Sequence, residues 1–492
     1  MRTREPVYPG PAANLDPTMK VLFATSEARP LIKTGGLADV SGALPAALRE
    51  TGVDCRLLLP GYHAVIAGAV HQQEIARFND LPGFGEVRLL EALMPDTGVP
   101  LYVVDYPWHY QRDGGPYQDA SGRDYPDNAW RFALLSRIAA LLATPLSPLE
   151  WRPDVLHCND WQTGLAPAYR HFIGGGAPAL MTIHNLAYQG IFPPDLVEPL
   201  GLPASSFQVE GVEYYGNFSF LKAGLYYADW ISTVSPTYAE EIQSIPLGMG
   251  MEGLLASRRQ RLTGILNGID MADWNPSSDL HLPCEYSARA PSGKKRCKLA
   301  LQQDLNLEVD NDTPLLGVIS RLTHQKGIDW IVAIADRLVA DGAQLVILGK
   351  GEAAIEQACL ALAERHPGRI ASVIGYDEGL SHRIEAGADI FLMPSRFEPC
   401  GLNQMYSQRY GAVPVVYATG GLKDTVEDGV TGFVFTEPSA DGLWGAVRRA
   451  LSMYSDKSAW RRMMQAGMQK DFSWEASANQ YTWLYQLLVL AH

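Results

Sequence analysis

The sequence is short of positive charge, of closely spaced cysteines and of long apolar runs, and each shortage excludes something. Its 492 residues hold 40 Lys and Arg against 54 Asp and Glu, a formal net charge of −14. A surface so acidic repels polyanions, which excludes nucleic acid as a general partner. A phosphate-bearing ligand must then be met by a few placed cations. The six cysteines (Cys55, Cys158, Cys284, Cys297, Cys359 and Cys400) lie far apart with no CxxC pair. That spread suits neither a zinc site nor a disulfide framework, and reads as reduced cytoplasmic thiols. No His, Asp and Glu cluster has metal-ligand spacing, so neither metal nor cofactor is expected. No apolar run approaches the length that spans a bilayer, which predicts a soluble cytoplasmic protein without a membrane partner. Residues 1–18 are Pro-rich and lack the apolar segment of a signal peptide, and are read as a disordered extension.

What the chain does have is alternation. With 47% hydrophobic and 19% charged residues it has the balance of a packed globular protein, and its length predicts two domains. Short branched apolar runs at 21–25, 55–59, 101–104, 155–157, 179–183 and 231–234 predict strands in the first half. Runs at 315–319, 345–348, 371–374, 390–393 and 413–416 do so in the second. Between them Leu37, Val40, Leu44 and Leu48, or Ile328, Ile331, Ala335 and Leu338, are spaced for one helical face. Strand–helix alternation predicts parallel sheets with helices on both faces, and its occurrence twice predicts two doubly wound α/β domains. The turn signals Asn-Gly and Asn-Pro put the seam near 263–276. The domains are thus read as 19–264 and 265–473, with a final helix from 474 to 492 that can pack back on the first domain. Ligands on such sheets bind beyond the carboxyl ends of the strands, so a cleft between two facing sheets is the expected site.

Several loops in those positions carry suitable chemistry. Lys33-Thr34-Gly35-Gly36-Leu37-Ala38-Asp39-Val40 follows the first strand and opens the first helix. Glycines at a helix start let backbone N–H groups approach an anion, and the lysine adds a full charge; the alternative is a tight turn with a solvent-facing lysine. Ser320-Arg321-Leu322-Thr323-His324-Gln325-Lys326-Gly327 holds the equivalent place in the second half, where Arg321 and Lys326 can converge on a diphosphate or form a salt-bridged surface loop. In Pro394-Ser395-Arg396-Phe397-Glu398-Pro399-Cys400-Gly401-Leu402, Glu398 can bond sugar hydroxyls and stabilise an oxocarbenium-like centre, or satisfy a helix start. Gly401 is read as the start of a helix that can receive phosphate. His184 at a strand end, Asp160-Trp161 after another, and Tyr376 are weaker signals, each with a plain packing alternative. Lys294-Lys295-Arg296 is read as a solvated helix start, and Trp108, Trp130 and Trp151 as core or sugar-side walls.

Taken together, KTGGLADV, HCNDWQTGLAP, TIHNLAYQG, ILNGID, SRLTHQKG, GYDE and PSRFEPCGLNQ, in this order, closely resemble the bacterial glycogen synthases and plant starch synthases from about Met19 to the C-terminus. The resemblance implies the GT-B architecture, two Rossmann-like domains facing across a cleft. It also implies a retaining, metal-independent transfer of glucose from ADP-glucose to the non-reducing end of an α-1,4-glucan such as glycogen. By resemblance Lys33, Gly35 and Gly36 would contact the donor diphosphate and sugar, with Asp39 shaping that site. Arg321 and Lys326 would neutralise the leaving diphosphate, and Glu398 would sit by the donor glucose. Cys400, Gly401, Leu402 and Asn403 would contact the donor's hydroxyls and phosphate. His184 would line the sugar pocket, and Tyr376 would stack on adenine. Asn267 would stand at the hinge-side wall, and Tyr117, Asp160 and Trp161 would face the acceptor glucan. Asn403 stands where threonine is common in the family, and Gln162 where histidine is common.

The implied mechanism closes the two domains around one donor, with cations and helix starts stabilising the departing ADP. Three rival readings remain: a relative of the same fold using UDP-glucose or another acceptor, a phosphorylase with a pyridoxal phosphate lysine, and a non-catalytic glucan-binding protein.

Overall fold

The computed structural model describes residues 18–492, so the expected extension lies, but for Thr18, outside the described residues. The chain divides into two compact units. Unit one comprises the described residues up to Met181, Tyr188–Trp230 and Tyr481–His492; unit two comprises Thr182–Ala187 and Ile231–Gln480.

The strands in chain order are β1 Lys20–Ala24, β2 Asp54–Pro60, β3 Val70–Phe78, β4 Val87–Leu93, β5 Pro100–Asp105, β6 Val155–Asn159, β7 Ala179–Ile183, β8 Ile191–Phe192, β9 Glu213–Tyr214, β10 Asn217–Ser219, β11 Trp230–Thr233 and β12 Leu262–Gly264. They continue as β13 Leu315–Ile319, β14 Gln344–Gly349, β15 Ile370–Ile374, β16 Ile390–Met393, β17 Val413–Tyr417 and β18 Phe433–Phe435. The first sheet runs β12-β11-β7-β6-β1-β2-β5-β4-β3, and β8-β10-β9 form a small separate sheet. The second large sheet runs β15-β14-β13-β16-β17-β18, which is the order 3-2-1-4-5-6 of a doubly wound nucleotide-binding fold.

Central strands such as β1 (KVLFA) and β6 (VLHCN) read as unbroken apolar runs because helices cover both faces, and their inner residues are buried. In unit two the helix Ile328–Ala340 lays Ile328, Ile331, Ile334, Ala335 and Leu338 against Leu345, Ile347 and Leu392 of the sheet. Each apolar run read as a strand overlaps an observed one.

The sheets are not wholly parallel, however. Strands β3, β4 and β5 pair antiparallel at one edge of the first sheet. The sequence Val70–Phe78 (VHQQEIARF) hides this strand because it is largely exposed and polar, as suits an edge. The start of the expected seam is also strand: Thr263 pairs with Ser232 and Gly264 with Thr233 in a parallel β11–β12 ladder. The final helix spans Trp474–Ala491, with Tyr481, Leu484, Tyr485 and Leu488 buried. Within unit one its Tyr485 hydroxyl meets His157 Nδ1 at 2.7 Å.

The basic run is not a solvated face throughout. Lys294 is buried in the helix Ser292–Asp304, where its Nζ donates to the Ala386 carbonyl at 2.8 Å and burial pushes its pKa down to about 8. Trp108 is not core, being 80% exposed, whereas Trp130 and Trp151 are half-buried. All six cysteines are free thiols. Among the described residues no helix is long and apolar enough to cross a membrane.

Candidate functional site

Each large sheet has a point where consecutive connections depart in opposite directions, and there the loops beyond the two neighbouring strands leave a crevice. In the first sheet that point lies between β1 and β6; in the second it lies between β13 and β16. The loop after β1 carries Lys33–Asp39, and the loop after β6 carries Asp160 and Trp161. The loop after β13 carries Arg321 and Lys326, and the loop after β16 carries Glu398. These four motifs therefore sit at the switch points of their own sheets, whereas His184 and Tyr376 follow β7 and β15, away from them.

In unit one the helix Gly36–Glu50 opens with Gly35 as its cap, and Lys33 Nζ meets Asp39 Oδ1 at 2.7 Å. With side chains 48% and 22% exposed, this pair contributes about 0–1 kcal/mol, so an arriving anion can draw the lysine away. Nothing among the described residues demands glycine at 35 or 36. Gly35 is extended (φ −147°), and a Cβ at either position would meet no atom within 4 Å. With no side chain at either position, a ligand can come close to this exposed stretch of backbone.

Sequence reading missed the group that shapes this loop. Glu27, only 3% exposed, accepts from Thr34 N at 2.5 Å and Gly35 N at 3.2 Å through Oε2, and from the Tyr117 hydroxyl at 2.7 Å through Oε1. Burial raises its pKa against the opposing pull of those hydrogen bonds. Glu27 thus couples Tyr117 to the glycine loop; the only signal for it was an acid immediately beyond a buried strand. Glu27→Ala is expected to release the loop and to destabilise the protein by about 1–3 kcal/mol, because it leaves the Thr34 and Gly35 amides and the Tyr117 hydroxyl without their acceptor. Glu27→Gln, which can still accept from both amides, is expected to stay close to the parent. Thermal melts of the two variants check both.

Trp161 is half-buried, its ring 6.5 Å from Tyr117, 5.0 Å from Phe132 and 5.7 Å from Phe192. Asp160 beside it is 8% exposed and takes φ +56°, a costly conformation for a non-glycine residue and one that clusters at functional sites.

In unit two the loops after β13 and β16 meet. Lys326 Nζ lies 2.5 Å from Glu398 Oε2, with the two side chains 16% and 10% exposed. Arg321 stands exposed at the end of β13, its Nη2 3.3 Å from Gln325 Oε1. Asn403 Nδ2 donates to the Ile319 carbonyl at 2.7 Å, which ties the segment after Glu398 to the end of β13.

The helix here is Asn403–Arg409 and not one beginning at Gly401, because Gly401 takes φ +75°, outside the helical region. The Cys400 thiol is buried, bonds the Asn267 backbone and is pushed up to about 12 by burial. Asn267 therefore lies with the Glu398 loop. The buried atoms Asn267 Oδ1, Thr323 Oγ1 and Ser395 Oγ make no hydrogen bond within the described residues. Buried polar atoms are rarely left so, and these three lie on the segments that carry the motifs.

Gly420 and Gly421, after β17, were also missed. A Cβ on Gly420 would fall 1.9 Å from the Glu398 carbonyl, and one on Gly421 2.1 Å from the Cys400 carbonyl, so only this pair lets the Glu398 loop lie down. The signal was a TGG following a strand.

His184, at the end of β7, is held neutral by burial, which pushes its pKa down to about 3, so at pH 7 it offers an uncharged ring. Tyr376 is 83% exposed beyond β15, which removes the plain packing alternative and leaves its face open. Among the described residues no cluster of His, Cys, Asp or Glu could hold a metal ion.

A family profile described as starch synthase catalytic domain matches residues 20–257, and one described as glycosyl transferases group 1 matches residues 302–467. The chain is 55% identical to the glycogen synthase of Nitrosospira multiformis over 96% of this chain and 98% of that one. It is 54% identical to that of Nitrosomonas eutropha over 97% and 98%. Among solved structures, the catalytic domain of starch synthase IV from Arabidopsis thaliana, bound to ADP and acarbose, superposes with a TM-score of 0.84 at 30% identity, covering 96% of this chain and 99% of that one.

Proposed function

The chain belongs to the family of glycogen and starch synthases, glycosyltransferases of GT-B fold, and on that premise we propose that it lengthens an α-1,4-glucan with ADP-glucose as donor. The observation that carries this reading is the Lys326–Glu398 contact of 2.5 Å at the switch point of a 3-2-1-4-5-6 sheet. A cation and a carboxylate held together there suit the two charges that glycosyl transfer develops, a negative diphosphate leaving and a positive anomeric carbon beside it.

Lys326 and Arg321 take the diphosphate oxygens, Lys326 as a point charge and Arg321 as a planar fork. Glu398 faces the sugar ring, and His184 donates or accepts as a neutral imidazole. The amides from Cys400 to Asn403 bond the sugar and phosphate, and Tyr376 stacks on the base. Asn267, with its unsatisfied Oδ1, bonds a sugar hydroxyl. Lys33 and the open backbone of Gly35 and Gly36 also serve the donor, with Asp39 holding Lys33 until it arrives.

Tyr117, Asp160 and Trp161 receive the glucan, whose non-reducing 4-hydroxyl attacks on the face the diphosphate leaves, so that configuration is retained. The net charge of −14 makes these few cations the features that draw a nucleotide sugar. The free thiols support a reducing, cytoplasmic setting.

Nucleotide release tests the reading: the protein is given ADP-glucose or UDP-glucose, each with and without glycogen. Glycogen-dependent ADP release with growing iodine staining is expected. Faster turnover of UDP-glucose would overturn the donor, and no release from either would overturn catalysis in favour of a glucan-binding role.

A further inference from the structure

Lys326 sits on a short turn, His324–Lys326, whose own backbone bonds are few, yet its ammonium must be held to within a fraction of an ångström to follow a leaving group. Besides Glu352, whose Oε1 accepts from His324 N at 3.0 Å, what holds that turn is Arg396, which the proposed donor contacts leave unused. The Arg396 guanidinium makes a two-pronged pair with Asp329, Nη1 to Oδ1 and Nη2 to Oδ2, each at 2.7 Å. Its Nη1 also donates to the His324 carbonyl. Its backbone N–H donates to the Gln325 carbonyl at 2.8 Å, and the guanidinium carbon lies 4.1 Å from the centre of the Trp330 ring.

Arg396 therefore grips the chain on both sides of Lys326: His324 and Gln325 before it, Asp329 and Trp330 after it. The turn also packs closely on the segment that carries Arg396. Gly327 takes φ +69°, and a Cβ there would fall 2.2 Å from the Pro394 carbonyl, so the turn already presses on the end of β16. Two residues beyond Arg396 on its own loop is Glu398, the partner of the Lys326 ammonium. One arginine thus ties together the two loops that carry the two opposite charges.

We propose that Arg396, braced by Asp329, is a positioning residue that sets Lys326 against the donor diphosphate without touching the donor itself. The inference rests on the functional reading above. Its chemistry is specific to arginine: the planar fork engages both carboxylate oxygens and the carbonyl while its face lies on Trp330. A lysine offers a single point charge and cannot make all of these contacts at once.

A double-mutant cycle tests it in the full-length protein, with kcat on ADP-glucose and glycogen, ADP affinity by calorimetry and the thermal midpoint measured for each variant. Arg396→Ala is expected to lower kcat on the order of 10²-fold and to weaken ADP binding. Arg396→Lys is expected to recover little of either. In a Lys326→Ala background the same Arg396→Ala change is expected to cost under about 2-fold, because residues acting as a unit are non-additive. Should Arg396→Ala fail to fold, Asp329→Asn, which keeps its shape and loses one charge, carries the same cycle.

A residue that only supports the fold would lower the thermal midpoint and multiply its loss equally in both backgrounds. Equal losses in the two backgrounds, or a normal kcat in Arg396→Ala beside a crippled Lys326→Ala, overturn the inference and leave the functional reading standing. A normal kcat in Lys326→Ala overturns the part given to Lys326 in the chemical step, and this inference with it, whereas the functional reading itself falls only if the parent protein releases no ADP from ADP-glucose.

Discussion

Lys326→Ala is expected to lower kcat about 10²–10³-fold, the usual effect of removing one preorganised group from a developing negative charge. The ammonium is tied up before the donor arrives, with Glu398 Oε2 at 2.5 Å, so it contributes little to ground-state binding. In the proposed function its contribution grows as the glycosidic bond to the diphosphate breaks and charge accumulates on the leaving oxygen. The loss should therefore fall on kcat, with KM for the donor changing far less. A large rise in KM at unchanged kcat would assign Lys326 to donor capture and remove it from the chemical step.

Replacing Glu398 with glutamine is expected to cost a similar factor, about 10²–10³ in kcat, for a different reason. Glutamine keeps the size and one acceptor oxygen but not the charge that the proposed function sets against the anomeric carbon. It also leaves Lys326 in a site only 16% exposed without its counter-ion, and an uncompensated partly buried charge destabilises a fold by a few kcal/mol at most. The two consequences can be separated. In the double variant Lys326→Met with Glu398→Gln no net charge is left unpaired, so the urea midpoint should return toward that of the parent while kcat stays low. If activity returned together with stability, the pair would be structural and the chemistry would have to lie elsewhere.

Both predictions turn on residues whose motifs were visible before the structure, yet the motifs did not say which atoms meet. Arg321, Lys326 and Glu398 stood out because a cation or a carboxylate on a Gly- or Pro-bounded loop after an apolar run is unusual enough to notice. Glu27 did not stand out: an acid following a strand is common, and its role depends on Thr34, Gly35 and Tyr117 converging on it in space. Gly420 and Gly421 were passed over because their purpose is the room they leave for the Glu398 and Cys400 carbonyls. Lys294 was misjudged for the same kind of reason. A lysine in a basic run at a helix start looks solvated until the Ala386 carbonyl is found to receive it.

The strands show the same division. Central strands are covered on both faces and so appear as continuous branched apolar runs, and every one read that way overlaps an observed strand. Strand β3 is an exposed antiparallel edge and carries no such run, and β8, β9, β10, β12 and β18 are too short for a periodicity to register.

The sequence by itself determined the α/β class, the doubling of the fold and the loops that carry charge, because burial of both sheet faces and the glycine and proline content of the loops are local properties written residue by residue. The tertiary structure alone decided that β13 and β16 are neighbours, and hence that Lys326 and Glu398, 72 residues apart, touch. Strand order follows from how the crossover helices pack on the sheet. That packing is a sum over contacts distant in sequence, which no window of residues contains.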